Sequence, residues 1–185
     1  ITSFSMFYDL ERPMQFVQEV ASILDSAGVW VFEQSYLPSM LDQNSFDTVC
    51  HEHLEYYCLK QIYWMLQRNG LKIIDLEFND INGGSFTITA AKQEAIYAED
   101  IRVKTVLANE SRKGLDSLDP YLEFSKRIDD CREALRTFVR NAVSSKRRIG
   151  MLGASTKGNV TLQYCGFSNT EIEAIGEVNT DKFGC

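Results

Sequence analysis

The chain contains two histidines, and they stand two residues apart in the segment Cys50-His51-Glu52-His53. Imidazole is the side chain whose usual pKa suits proton transfer near neutral pH, and a neighbouring carboxylate can orient it or raise its basicity. In extended backbone, His51 and His53 would point to one face and Glu52 to the other. Three interpretations stay open: a general-base site, a metal site that adds Glu52, Cys50 or Asp47, and a surface loop with coincidental histidines. The segment lacks the H-E-x-x-H spacing of hydrolytic zinc sites.

Two glycine-containing segments would let a ligand approach the backbone closely. The first runs from Gly150 to Gly158, between a predicted strand and a predicted helix, so its amides and Lys157 could meet a phosphate. Its spacing is neither G-x-G-x-x-G nor a P-loop, and a tight strand-to-helix turn needs the same small residues. The second, Asn82-Gly83-Gly84-Ser85, is compatible with a hairpin turn and with a ligand lying on the backbone.

Three more side chains are candidates by position alone. Tyr56 and Tyr57 follow His53 closely in the chain. Glu33 lies at the carboxyl end of a predicted strand, where open α/β sheets bind their ligands.

The elements that must position these residues begin with a strand–helix–strand pattern. Ile1 to Leu10 is apolar and β-prone, and Pro13 opens a stretch with helical spacing that ends at Ala27-Gly28. Val29 to Phe32 is a short apolar run, typical of a strand buried on both faces of a parallel sheet. These segments predict one right-handed βαβ unit. A loop is expected from Ser35 to Phe46.

A helix and a hairpin are predicted next. Helical spacing from Leu59 to Leu66 ends at Asn69-Gly70. Leu71 to Phe78 and Ser85 to Ala91 alternate apolar and polar residues on either side of a turn, which predicts two antiparallel strands. We therefore expect residues 1–92 to form an α/β sheet with one reversed edge strand.

The rest of the chain predicts a linker, a long helix and a second βαβ unit. Residues 93–118 are polar and charge-mixed, as in a loop or a short helical linker. A long helix is expected from Asp119-Pro120, with apolar residues in steps of three and four. Arg148 to Leu152 predicts a strand, followed by a helix that ends near Cys165 and a strand from Ile172 to Val178. The predicted division is residues 1–92, a linker over 93–118, and a C-terminal domain over 119–185.

The composition of the 185 residues is that of a globular protein, with 44% hydrophobic and 24% charged residues. Its 19 Lys+Arg against 26 Asp+Glu give a net charge of -7, which argues against a protein that binds nucleic-acid phosphates. No apolar run approaches the roughly 20 residues that span a bilayer, and no secretion signal opens the chain, so a soluble, cytoplasmic protein is expected. The 5 cysteines form no C-x-x-C pair, which favours reduced thiols over disulfides or zinc.

Four motifs, in this order, resemble those of the S-adenosylmethionine-dependent C-methyltransferases that act on nucleotide-linked sugars. They are Phe32-Glu33-Gln34-Ser35-Tyr36, the run from Phe46 to Tyr57, Asn82-Gly83-Gly84-Ser85, and Gly153-Ala154-Ser155-Thr156-Lys157-Gly158-Asn159. The resemblance covers nearly the whole chain. It implies an α/β fold: the second half of a Rossmann-like methyltransferase sheet with a terminal antiparallel hairpin, then a long helix and the start of a second Rossmann-like domain.

The resemblance also implies a reaction. In this family a histidine removes the proton beside the keto group of a nucleotide-linked 4-keto sugar, and the enolate attacks the methyl group of S-adenosylmethionine. Matched by motif, His53 is the base, Glu52 holds the sugar or orients the base, and His51 supports them. The expected substrate contacts are Tyr56, Gly84, Ser85, Ser155 and Lys157.

Some features of the family have no counterpart in the 185 residues. These are the N-terminal zinc module, the glycine-rich cofactor loop and the acidic residue that holds the cofactor's ribose, so no cofactor-binding residue is assigned. The sugar-modifying members have a tyrosine at the position of Cys50 and a further histidine where this chain has Phe7-Tyr8-Asp9.

The chain starts at Ile1 and stops soon after a strand-like segment, which predicts a fragment of a longer enzyme. Such a fragment would bind S-adenosylmethionine weakly or not at all and would have no turnover. The competing hypothesis is a binding or assembly domain with a degenerate methyltransferase-like fold. Unpaired sheet edges would favour a homodimer.

Overall fold

The computed structural model describes residues Ile1–Gly184, which fold as two compact units. The first unit combines Ile1–Ser45 with Glu52–Tyr121, and the second combines Phe46–His51 with the chain from Leu122 onward. Residue 185 of the predicted C-terminal domain lies outside the described residues. None of the helices within residues 1–184 has both the length and the apolar character needed to cross a membrane.

A four-stranded sheet forms the centre of the first unit, in the order β1-β2-β4-β3. Its strands are β1 (Thr2–Phe4), β2 (Val29–Ser35), β3 (Leu71–Asn79) and β4 (Ser85–Lys92). β1 and β2 are parallel and are connected through helix α1 (Pro13–Ile23), so the predicted βαβ unit is confirmed. The first strand is shorter than the sequence suggests, because Phe7–Asp9 forms a 3-10 turn.

The reversed strand lies inside the sheet and not at its edge, which corrects the prediction. β4 runs antiparallel to both β2 and β3, and β3 forms the edge. The side chains account for this order. β4 contributes the fully buried Phe86, Ile88 and Ala90, whereas β3 carries Asp75 and Glu77, which suit an exposed edge.

Three further helices belong to the first unit: α2 (Leu37–Gln43), α3 (Leu59–Arg68) and α4 (Arg102–Arg112). Only α3 was predicted as a helix in its own right. α2 occupies the expected loop, and α4 lies within the expected linker 93–118. The expected linker thus contains a helix, and Val103 of α4 packs into the hydrophobic core of the first unit.

The core of the first unit is rich in aromatic rings on one face of β2. Trp30 and Phe32 stack with ring centroids 4.1 Å apart, and Phe7 lies 6.0 and 5.7 Å from them. The buried face of α3, from Leu59 to Leu66, packs into the same cluster. The first unit therefore has one hydrophobic core on this face of β2.

A buried carboxylate connects α4 to the start of α3. Glu110 is 3% exposed and accepts hydrogen bonds from Tyr36 Oη at 2.8 Å and from the amides of Leu59 and Lys60 at 2.7 and 2.9 Å. The amides of a first helical turn lack partners within the helix, and the helix dipole favours a negative charge there. Burial and the bond to Glu110 raise the pKa of Tyr36, so its hydroxyl remains a donor.

The second unit contains helix α5 (Asp119–Ser144) from Leu122 onward, helix α6 (Thr156–Cys165), and strands β5 (Gly150–Leu152) and β6 (Ala174–Gly176). β5 and β6 are parallel and connected through α6, so the predicted second βαβ unit is confirmed, with shorter strands than expected. Tyr164 of α6 packs against Phe46 at 5.2 Å and donates to Asp129 of α5 at 2.6 Å. Two described strands are fewer than a Rossmann-like domain requires, so that part of the expectation stays a prediction.

Candidate functional site

The segment that carries His53 is held against the start of the chain. Residues 51 and 52 form a turn, so the extended backbone assumed for this segment does not form. The two amides that follow His53 donate to the carbonyl of Tyr8 at 3.0 and 3.1 Å. The rings of Tyr8 and His53 lie 4.4 Å apart, and the ring of Tyr56 lies 6.4 Å from His53. His51 is exposed and belongs to the second unit.

Asp9 adds a second carboxylate to the surroundings of His53. Partial burial raises the pKa of Asp9 above its usual value, while the charge of His53 lowers it and that of Glu52 raises it. Asp9 is therefore close enough to His53 and Glu52 for their charges to influence its carboxyl group. Imidazole is the side chain whose usual pKa suits proton transfer near neutral pH.

This cluster lies just beyond the end of β1, on the side where the parallel strands β1 and β2 both end. Ser5 follows β1 with a φ of 51°, which is uncommon for a residue other than glycine, and its amide donates to the carbonyl of Glu33 at 3.0 Å. Strained backbone is concentrated at functional sites, and ligands of open α/β sheets bind at the carboxyl ends of the strands. The position of Tyr8 and Asp9 after the first strand is the sequence signal that could have identified them.

Tyr57 anchors the segment that follows His53. It pairs with Tyr36 through an isolated parallel bridge, and the amide of Leu37 donates to its carbonyl at 3.0 Å. Tyr57 is buried, whereas its neighbour Tyr56 is only partly buried. The bridge fixes the His53 segment to the end of β2, and Tyr56 stays the candidate for substrate contact.

Gly84 and Ser85, expected at the substrate, are both buried within the first unit. Gly84 has a φ of +109°, and a Cβ added there would lie 2.3 Å from the Cβ of Ser39 on α2. Ser85 Oγ donates to the carbonyl of Ile81 at 2.9 Å. These contacts give Gly84 a packing role, since only glycine permits this approach. The contact of Gly84 and Ser85 with the substrate stays a prediction.

Glu33 forms its hydrogen bonds within the sheet. Its carboxylate accepts from Asn79 Nδ2 and from Thr87 Oγ1, each at 2.9 Å. By strand alternation it faces away from the aromatic face of β2, so these bonds account for it without a ligand.

Ser155 and Lys157 lie in the second unit, at the start of α6. Ser155 Oγ accepts from the amide of Gly158 at 3.1 Å, which makes it the N-cap of the helix. The amide of Ala154 donates to Glu177 at 2.7 Å, and this and other backbone amides lower the pKa of Glu177. Two amides of this loop are thus already bonded to side chains of the same unit. A contact between this loop and a phosphate of the substrate stays a prediction.

A metal site at the histidine segment would need further ligands. Cys50, the thiol considered for such a site, is partly buried and forms no disulfide. Throughout residues 1–184, no group of three or more His, Cys, Asp and Glu side chains is placed to hold a metal ion.

Comparison with known proteins gives two findings. Residues 80–185 match the family described as C-methyltransferase C-terminal domain. Over 165 residues the chain is 32% identical to the C-methyltransferase NovU of Streptomyces niveus, a match that covers 89% of this chain and 39% of that protein. The chain therefore spans well under half the length of this curated relative. The resemblance to C-methyltransferases is confirmed, and both findings concern the C-methyltransferase class.

Proposed function

Because the chain belongs to the C-methyltransferase C-terminal domain family, we propose that it is part of an enzyme that methylates a carbon beside a keto group. The methyl donor is S-adenosylmethionine, and the acceptor is a nucleotide-linked sugar. The similarity to a protein named C-methyltransferase supports the reaction class. The acceptor class is supported by the four motifs that resemble the sugar-modifying members.

One observation carries the proposal: the ring of His53 lies 4.4 Å from that of Tyr8, next to Asp9, whose carboxyl group is influenced by the charge of His53. Carbon methylation needs a base that removes a proton from a weakly acidic carbon. Imidazole is such a base near neutral pH, and His53 is held in a fixed place beside Tyr8.

The described residues have the following roles in removing the proton. His53 accepts the proton from the carbon beside the ketone, and the electron pair moves onto the carbonyl oxygen to form an enolate. Asp9 and Glu52 stabilise the imidazolium that results. The ring of Tyr8, 4.4 Å from His53, holds the imidazole in place. The two hydrogen bonds from the amides after His53 fix its backbone relative to Tyr8.

The residues described here do not fit an S-adenosylmethionine site. In the first unit, Ser5 follows β1 directly and Tyr36 follows β2, and neither turn is glycine-rich. The glycine-rich loop of the second unit has the amides of Ala154 and Gly158 bound to Glu177 and Ser155. We therefore assign no residue of this chain to the methyl donor and derive no step of the transfer itself.

Proton abstraction can be tested without the methyl donor. The complete natural protein is incubated in D₂O with a nucleotide-linked 4-keto sugar, and deuterium uptake at the carbon beside the ketone is followed by NMR. A general base contributes about 10²–10⁴ in rate, so His53→Gln should slow the uptake at least about 100-fold.

His51→Gln is the matched comparison, because it makes the same chemical change two residues away. It should slow the uptake by less than tenfold, since His51 has a supporting part only. Equal losses in both variants, or uptake at the wild-type rate in His53→Gln, would remove His53 from the role of base.

A further inference from the structure

Three polar side-chain atoms in the first unit are buried without a hydrogen-bond partner among the described residues. They are both amide atoms of Gln34 and the hydroxyl of Tyr57. Gln34 is 1% exposed and Tyr57 is 6% exposed. Folded proteins pair nearly all such atoms, because an unpaired buried amide or hydroxyl costs about 1–3 kcal/mol.

The fold brings these two side chains to one place. Strand alternation puts Gln34 on the face of β2 that carries Trp30 and Phe32. Tyr57 is anchored by its backbone beside Tyr36, one step past the end of the strand. Its ring reaches back to Phe7, at 5.5 Å, and Phe7 also touches Phe32, at 5.7 Å.

The Tyr57 side chain thus extends from beside Tyr36 towards Phe32. Gln34 lies between Phe32 and Tyr36 along the chain. Tyr57 and Gln34 are therefore both buried on the aromatic side of β2. Phe86, paired with Gln34 across the strands, contributes a further apolar wall to this region.

The chemistry of the three atoms limits what can satisfy them. The Gln34 oxygen needs a donor, its nitrogen needs an acceptor, and the Tyr57 hydroxyl offers either. Burial raises the pKa of Tyr57, so it stays a neutral phenol. A metal cation would leave the amide nitrogen unpaired, and an anion would leave the amide oxygen unpaired. A single oxygen that both donates and accepts, as in water or an alcohol, satisfies the set.

We propose that Gln34 and Tyr57 form a buried binding site for one hydroxyl-type oxygen, supplied by an ordered water or by a hydroxyl of the acceptor. Tyr57 follows His53 by four residues and fixes that segment to β2, so the occupant of this site helps to set the position of the base. The inference rests on the proposed function only where the acceptor supplies the oxygen.

Thermal unfolding of this chain tests the site, because the proposal requires that Tm falls when either polar side chain is replaced. Tyr57→Phe and Gln34→Met keep the shape of each side chain and remove its polar atoms. If an oxygen is bound, each variant loses a hydrogen bond and leaves the other partner unsatisfied, so Tm falls by about 2–12 °C. In the double variant both partners are gone, and the loss should be smaller than the sum of the two single losses.

The control is Tyr63→Phe, which removes a surface hydroxyl from α3 and should change Tm by no more than about 1–2 °C.

A crystal structure of the chain without added sugar identifies the source of the oxygen. Density within hydrogen-bond distance of Tyr57 Oη and the Gln34 amide identifies a water. If that density is absent, a hydroxyl of the acceptor is the remaining source of the oxygen. A nucleotide-linked 4-keto sugar should then raise the Tm of the wild type but not that of Tyr57→Phe. The proposal is overturned if the site is empty and the sugar raises both Tm values equally, or if both single variants raise Tm without sugar. These readouts do not depend on proton abstraction by His53.

Discussion

The buried carboxylate of Glu110 stabilises the fold. It accepts three hydrogen bonds while almost fully buried, two of them from the first turn of α3. Glu110→Gln should lower the free energy of unfolding by about 1.5–3 kcal/mol, because an amide donates where the carboxylate accepted and loses the charge-assisted bonds. Urea denaturation of this chain measures the loss. Glu123→Gln on the exposed side of α5 is the control and should change stability by less than about 0.5 kcal/mol.

The thiols should differ in reactivity as their burial differs. Cys58 is buried with a pKa raised to about 12, whereas Cys131 is exposed on α5. At pH 8 only about one Cys58 in ten thousand is a thiolate, and only the thiolate reacts with alkylating reagents. Peptide mapping after brief treatment with iodoacetamide should find Cys131 modified and Cys58 intact. Equal labelling of both in the folded protein would contradict the burial described here.

The histidine segment was identified from the sequence, whereas part of its surroundings was not. The two histidines and Glu52 adjoin one another in the chain, so their spacing alone marked them. Tyr8 and Asp9 lie more than forty residues earlier, and they meet His53 only because the amides after it bind the carbonyl of Tyr8. Their position after the first strand marks that end of the sheet, but no local pattern in a single sequence shows that they contact His53.

At the scale of the elements, the turn before β4 depends on a glycine. Gly84→Ala would place a Cβ 2.3 Å from Ser39 in a backbone conformation with φ +109°. The clash and the backbone strain together should cost about 2–5 kcal/mol of unfolding free energy. Gly70→Ala is the matched control, because Gly70 has a φ of +69° but nothing within 4 Å of an added Cβ, so it should cost about 1–2 kcal/mol. Similar losses for both variants would show that the contact with α2 is unimportant.

Helices and strands with strong periodicity were predicted well, and those without it were not. α3 and the two strands of the hairpin have clear apolar spacing, and the structure has them close to the predicted bounds. α2 is short and contains Pro38, and α4 is charge-mixed, so neither has a pattern that distinguishes it from a loop. The order of strands in the sheet was also missed, because alternation shows which face of a strand is buried but not which strand lies beside it.

At the scale of the whole molecule, we assign none of the described residues to the methyl donor. We expect this chain to give no measurable heat with S-adenosylmethionine in titration calorimetry at concentrations up to the millimolar range. A methyltransferase with a known S-adenosylmethionine site, titrated under the same conditions, is the positive control. A micromolar dissociation constant for the chain alone would contradict the prediction and would require a donor site among residues that we have not assigned.

The interior position of β4 also affects how the chain is made. β2 ends at Ser35, but the neighbour that covers its second edge begins only at Ser85. At a synthesis rate of about 5–20 residues per second, the ribosome needs several seconds to produce that neighbour. During this interval β2 leaves the ribosome with one edge open, and its apolar side chains Trp30 and Phe32 have no cover from the hairpin. The nascent chain is therefore most exposed to aggregation just before the end of the hairpin is made, and a chain shortened before Lys92 would keep that open edge permanently.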